Sequence, residues 1–249
     1  MTSGKASRET REAKAAERRA SAAKAESRRR NGIITAVVAV VVLVVVGAYV
    51  LIQNDNSSKT GSSSNAAPKN TQGKANQTIV VGSPSATVLV TAYEDFQCPV
   101  CKQFEQTSGP VLLAYLNQQQ IKMNYRPIAF LDSASTTNYS TRALNSAGCV
   151  VDTKLDAFQA YHKLLFENQP AEGSAGLPNS KLIELAKQAG AGDISACVNA
   201  ETFKGWTVAV TDQASKDGVN GTPTVKVNEQ VLTNPSPTEL KSAIDAALK

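Results

Sequence analysis

The sequence predicts an α/β domain carrying a helical insertion, preceded by a single transmembrane helix. Three observations lead there. Ile33 to Ile52 is a run of twenty residues without a charge, the length a helix needs to cross a bilayer core. From residue 78 onward, β-branched or alternating segments are interspersed with helical stretches. Cys98-Pro99-Val100-Cys101 stands where a buried strand hands over to a helix.

The N-terminal part is read from charge and hydropathy. Residues 1–32 hold ten Lys or Arg, ending in Arg28-Arg29-Arg30, against four Glu. The rest of the 249-residue chain is close to neutral, so the overall net charge of +5 belongs to this tail. Positive charge on one flank of the apolar run places the N-terminus in the cytoplasm and the C-terminus outside. A cleaved signal peptide is the competing reading. The run exceeds a usual h-region, however, and Gln53-Asn54-Asp55 offers no small-residue cleavage site. The tail has no aromatics and interleaves its bases with Ala and Glu, which suits topology and anionic lipid heads rather than nucleic acid. Residues 53–77 are rich in Ser, Asn and Gly and read as a flexible tether. The globular part is then residues 78–249.

Within it, Ala86 to Tyr93 is rich in β-branched residues and reads as a strand. Glu94-Asp95-Phe96-Gln97 makes a polar turn, and a helix follows with Val100, Phe104, Val111, Leu112 and Leu116 available for packing. Ile121 to Pro127 alternates like a strand. A long helical stretch, roughly 138–217, contains no convincing strand, and the insertion is placed at about 133–217. A strand pair follows, Thr222 to Asn228 and Glu229 to Leu232, and a helix from about Pro237 closes the chain.

The chemistry sits at the two cysteines three apart. A thiolate attacks a disulfide, so the attacking cysteine needs its pKa lowered. At a helix N-terminus Cys98 faces unpaired N–H groups and the positive end of the helix dipole. Pro99 suits the first turn, where its missing N–H removes no helix bond. Cys101, one turn on, lies on the same face and can close a ring with Cys98. Cys98 is therefore the candidate attacking thiol and Cys101 the resolving one. A structural disulfide or half of a zinc site are the bland alternatives. Zinc usually needs a second CxxC or a Cys/His pair, whereas Cys149 and Cys197 are isolated. The only histidine, His162, falls on the apolar stripe of a predicted helix with Phe158 and Leu165 and reads as a core residue, as does Trp206. There is no nucleotide-binding glycine loop, Ser-His-Asp set or metal-ligand cluster, and no cofactor is expected.

Tyr93-Glu-Asp-Phe-Gln-Cys-Pro-Val-Cys101, followed by Lys102-Gln103-Phe104, resembles the active-site segment of DsbA-like thiol-disulfide oxidoreductases. Gly218-Val-Asn-Gly-Thr-Pro-Thr-Val225 is similar to their second signature, in which a residue before a cis-proline faces the CxxC. Phe158 to Leu165 and Leu182 to Gly190 are similar to helices of the family's insertion. The resemblance covers about 78–249 and is nearest to membrane-anchored actinobacterial members. It implies a thioredoxin-like fold, a cis Pro223, and a substrate chain pairing beside Thr222, where proline offers no N–H. Three features depart from the family. Val100 replaces a histidine common before the second cysteine. Ala92 stands where relatives often carry a buried proton-relaying acid; Glu94, two residues further on, reads as a solvated turn residue, with substitution for that acid as the alternative if the strand persists far enough to put it on the same face. Cys149 and Cys197 are an extra pair, read as a structural disulfide, with a second redox pair as the sharper alternative.

The function expected is a membrane-tethered, extracytoplasmic enzyme, an oxidase introducing disulfides into reduced secreted proteins. Analogy with actinobacterial relatives implies a quinone-linked membrane partner, such as a vitamin K epoxide reductase-like protein, that reoxidises it. A monomer is expected, and no nucleic-acid partner. The alternatives are a thiol reductase, for example in cytochrome maturation, and a non-catalytic binding module stabilised by two disulfides.

Overall fold

The computed structural model describes residues 66–249. The basic tail, the apolar run 33–52 and most of the expected tether lie outside the described residues. Among the described residues no helix is long and apolar enough to cross a membrane.

The centre is a five-stranded sheet in the order β1-β3-β2-β4-β5. Its strands are β1 (Ile79–Gly82), β2 (Val88–Glu94), β3 (Ile121–Pro127), β4 (Thr224–Val227) and β5 (Gln230–Thr233). β2 and β3 run parallel from Val88↔Ile121 to Glu94↔Pro127, joined by helix α1 (Pro99–Asn117). The other pairings are antiparallel. Val88, Val90 and Ala92 of β2, Ile121 and Met123 of β3 and Val225 and Val227 of β4 are all buried, which explains the apolar, β-branched character of the central strands. Helix α7 (Pro237–Ala247) begins with a reciprocal capping box between Ser236 and Glu239.

Between β3 and β4 stand α2 (Tyr139–Thr153), α3 (Phe158–Glu167), α4 (Asn179–Gln188), α5 (Ser195–Asn199) and α6 (Lys204–Lys216). This helical layer shares one core cluster with the sheet: Tyr139, Leu144, Phe158, Leu165 and Trp206 are buried with β2 and β3 residues. Cys149 of α2 and Cys197 of α5 are joined by a disulfide, with Cα atoms 5.9 Å apart across a separation of 48 residues.

The structure corrects the reading of the sequence in three places. Residues 68–77, expected to belong to the tether, pack on the domain. Lys69 N donates to Asp152 Oδ1 and Asn70 Nδ2 to the Val151 carbonyl, both at the end of α2. Trp206 Nε1 donates to the Asn76 carbonyl. Gly148 makes this seam possible, since a Cβ there would stand 3.1–3.2 Å from Trp206, Phe203 and Pro68. Second, β1 is a strand the sequence reading omits; its four residues are too few to show a period, and β3 alone pairs with it. Third, the turn Glu94–Gln97 is buried rather than solvated, because the insertion covers it.

Closing a 48-residue loop restricts the unfolded chain by roughly 4 kcal/mol on the chain-entropy estimate. Replacing Cys149 and Cys197 together by serine is therefore expected to lower unfolding free energy by about 2–4 kcal/mol. Denaturant titration checks this. Alkylation of Cys98 in the folded variant is expected to keep its native rate.

Candidate active site

β2 carries the chain from the middle of the sheet to its C-terminal edge, and α1 starts five residues after Glu94. Asp95 fixes the turn between them. Its buried carboxylate accepts from Gln97 N at 2.8 Å, Leu131 N at 2.8 Å and Ser140 Oγ at 2.7 Å. Burial pushes the Asp95 carboxyl up to about 6, against the pull of those three donors. Gln169 Nε2 reaches the same turn from beyond α3, donating to the carbonyls of Phe96 and Cys98.

Cys98 consequently occupies the N-cap of α1 in extended geometry, with Pro99 at the first helical position. Cys98 and Cys101 are both free thiols and both buried. Their environments differ sharply. The hydrogen bond from the Cys101 thiol, first of all, brings the Cys98 thiol down to about 6, against the upward push of burial. The Thr222 side chain and the N–H groups of Cys101 and Val100 add to the lowering. Burial, and then the hydrogen bond to Cys98, drive the Cys101 thiol far above the ordinary range. One sulfur is thus a thiolate at neutral pH and its neighbour a thiol.

Thr222 and Pro223 complete the surface. The peptide between them is cis, and Cys98 Sγ lies 3.4 Å from the Thr222 carbonyl oxygen. Val100, expected to pack, is instead 40 % exposed beside Cys98. The geometry therefore brings Cys98, Cys101, Thr222 and Pro223 together, and holds Cys149 and Cys197 apart from them in the insertion.

Glu94 and His162, read from the sequence as a turn residue and a core residue, meet in the fold, together with Glu105, which the sequence reading passed over. Glu94 ends β2 with only 2 % of its side chain exposed, and its Oε2 lies 3.1 Å from His162 Nε2. Glu105 Oε2 stands 3.9 Å from His162 Nδ1. Burial, first of all, pushes both glutamate carboxyls well above the ordinary range. It pushes the His162 imidazole down, against the upward pull of Glu105. The 3.1 Å contact is a buried hydrogen bond between the carboxyl and the imidazole. His162 is enclosed by Phe96, Tyr125, Phe158 and Phe166, with ring centroids 4.7–5.7 Å away, so it is a core residue with a polar partner. Two signals were present in the sequence. The alternation Val90, Ala92, Glu94 puts Glu94 on the inward face, and Glu105 follows Cys101 by one helical turn.

Alkylation of the reduced protein is expected to follow the titration of Cys98, rising through about pH 6 and levelling above it. Mass spectrometry should find the label on Cys98 and not on Cys101. A midpoint near 8.5, the value of an ordinary cysteine, contradicts the lowered thiol.

A family model described as thioredoxin matches residues 74–246. In sequence the chain is 26% identical over 175 residues to disulfide bond formation protein D of Bacillus subtilis, covering 68% of this chain and 77% of that protein. In structure it is similar to the reduced disulfide bond oxidoreductase DsbG of Mycobacterium tuberculosis, at 33% identity and a TM-score of 0.63. That match covers 70% of this chain and 89% of the other. Reduced DsbA of the same organism aligns at 32% identity and a TM-score of 0.58, over 69% of this chain and 98% of that one. With its paired thiols beside a cis Thr222-Pro223 peptide, the chain belongs to the thioredoxin family, among the DsbA-like protein-disulfide oxidoreductases.

Proposed function

We propose that the protein is a membrane-tethered, extracytoplasmic oxidase that introduces disulfides into secreted proteins through Cys98 and Cys101. The observation that carries this reading is the placement of the two thiols: Cys98 at the N-cap of α1, 3.4 Å from the Thr222 carbonyl oxygen beside the cis peptide and drawn down to about 6, with Cys101 fully buried behind it. A stabilised thiolate favours the reduced enzyme, and a disulfide whose reduced form is favoured is an oxidant.

The reaction runs as two exchanges. A substrate thiolate attacks Cys98 Sγ of the oxidised enzyme; the Cys98–Cys101 bond breaks, and Cys101 leaves and takes up a proton. A mixed disulfide now joins Cys98 to the substrate. A second substrate thiolate attacks the substrate sulfur of that bond, and Cys98 leaves as a thiolate. Two electrons and the lost disulfide have passed between the partners: the substrate is oxidised and the enzyme reduced. The low pKa of Cys98 makes it a good leaving group in this second step. An extended substrate segment lies along Thr222, whose partner Pro223 has no N–H to compete, and the exposed Val100 side chain offers apolar contact.

The apolar run 33–52 with its basic flank supports tethering, catalytic domain outward. A quinone-linked membrane protein of the vitamin K epoxide reductase type then returns Cys98–Cys101 to the disulfide.

Cys98→Ser is expected to abolish oxidation of a reduced model protein. Cys101→Ser is expected to accumulate mixed disulfides through Cys98, visible on non-reducing gels and by mass. Full activity of Cys101→Ser with no trapped adduct contradicts the assigned roles.

A further inference from the structure

Glu94, Glu105 and His162 come from β2, α1 and α3, with His162 joining the other two from the helical insertion. Folded, one carboxylate oxygen from each glutamate and one ring nitrogen all lie within 4.8 Å of one another. The separation of 3.1 Å between His162 Nε2 and Glu94 Oε2 is close to the ligand–ligand edge of a tetrahedral zinc shell, about 3.4 Å for bonds of about 2.0–2.1 Å. The contacts within the cluster do not use its donors up. Glu94 is almost fully buried, and both its Oε1 and Glu105 Oε1 lack any hydrogen-bond partner. Buried polar atoms are rarely left this way without a ligand, ion or water to take them up.

Access to the cluster comes from one side. Glu105 and His162 line a cavity of about 520 Å³ between α1 and α3, whose wall includes Gln106, Pro110, Tyr125 and Phe166. Glu105 sits at its rim, partly exposed, on a side chain long enough to swing inward.

We propose that Glu94, Glu105 and His162 form a binding site for a divalent transition cation of the zinc class, with water from the adjoining cavity completing the shell. Two carboxylates balance the charge of the ion, and the orphaned oxygens gain a partner. The imidazole sets the class: calcium and magnesium prefer an all-oxygen shell, whereas a nitrogen with two carboxylates suits zinc and its neighbours. The aromatic cage around His162 holds the ring in place, the kind of support that orients a metal-binding histidine.

The reduced dithiol is itself a potential zinc ligand, so the test uses the untagged full-length protein with Cys98–Cys101 oxidised. His162 is the only histidine in the chain, which makes its spectroscopic signature unambiguous. Titration with zinc chloride after chelator treatment is expected to load one ion per chain and raise the thermal midpoint. Cobalt(II) should give d–d bands without a thiolate charge-transfer band. Glu105→Gln and His162→Gln should each weaken zinc binding by at least about tenfold. Should His162→Gln fail to fold, Glu105→Gln at the cavity rim decides. Absence of zinc uptake by the oxidised protein, or unchanged affinity in folded Glu105→Gln, overturns the proposal and leaves a cluster that holds protons alone. Neither outcome depends on turnover by the dithiol.

Discussion

Three donors converge on the carboxylate of Asp95, and through that carboxylate the turn before α1 takes its shape. A buried acid without partners would be costly; here both oxygens are used, and Cys98 N returns a bond to the Asp95 carbonyl. One donor, Ser140, belongs to the insertion, and Gln169 adds two more bonds from the same region. The helical layer therefore holds the redox turn in place as well as covering the sheet. Cys98 can be the N-cap of α1 only because the four residues before it are fixed in this way.

From that placement the division of labour between the sulfurs follows. The N-cap position offers Cys98 the N–H groups of Val100 and Cys101 and the Cys101 thiol, while Cys101, one turn in, is enclosed. The sign of the pH effect is fixed by the direction of the shift. A depressed thiol stabilises the folded, reduced protein fully above the ordinary cysteine value, and that gain is lost as the pH falls through about 6. The disulfide form has no thiol at this position and gains nothing from it. At neutral pH the balance between the two states is therefore tilted toward the dithiol.

Much of this was legible in the sequence because it is local. A strand, a turn, Cys-Pro-Val-Cys and a helix are contiguous, and Gly-Thr-Pro before a strand marks Thr222 and Pro223. The order of strands and helices likewise followed from their periods, except for β1, whose four residues show none. What stayed hidden depends on neighbours that the fold alone supplies. Glu94 reads as a turn residue until β3, α1 and α3 close around it. His162 looks like an ordinary member of an apolar stripe until its nitrogen meets a carboxylate from another element. Residues 68–77 have the composition of a linker, yet polar groups at the end of α2 and the ring of Trp206 give them partners.

If the helix start and its hydrogen bonds stabilise the reduced form enough to make the protein a disulfide donor, the reduction potential of the Cys98–Cys101 couple must be high. Equilibration of the full-length protein with glutathione buffers, with the thiol state read by mass, gives it. The value expected lies between about −120 and −180 mV, the range of DsbA and protein disulfide isomerase. A value near −270 mV, that of thioredoxin, would contradict it and point to a reductase.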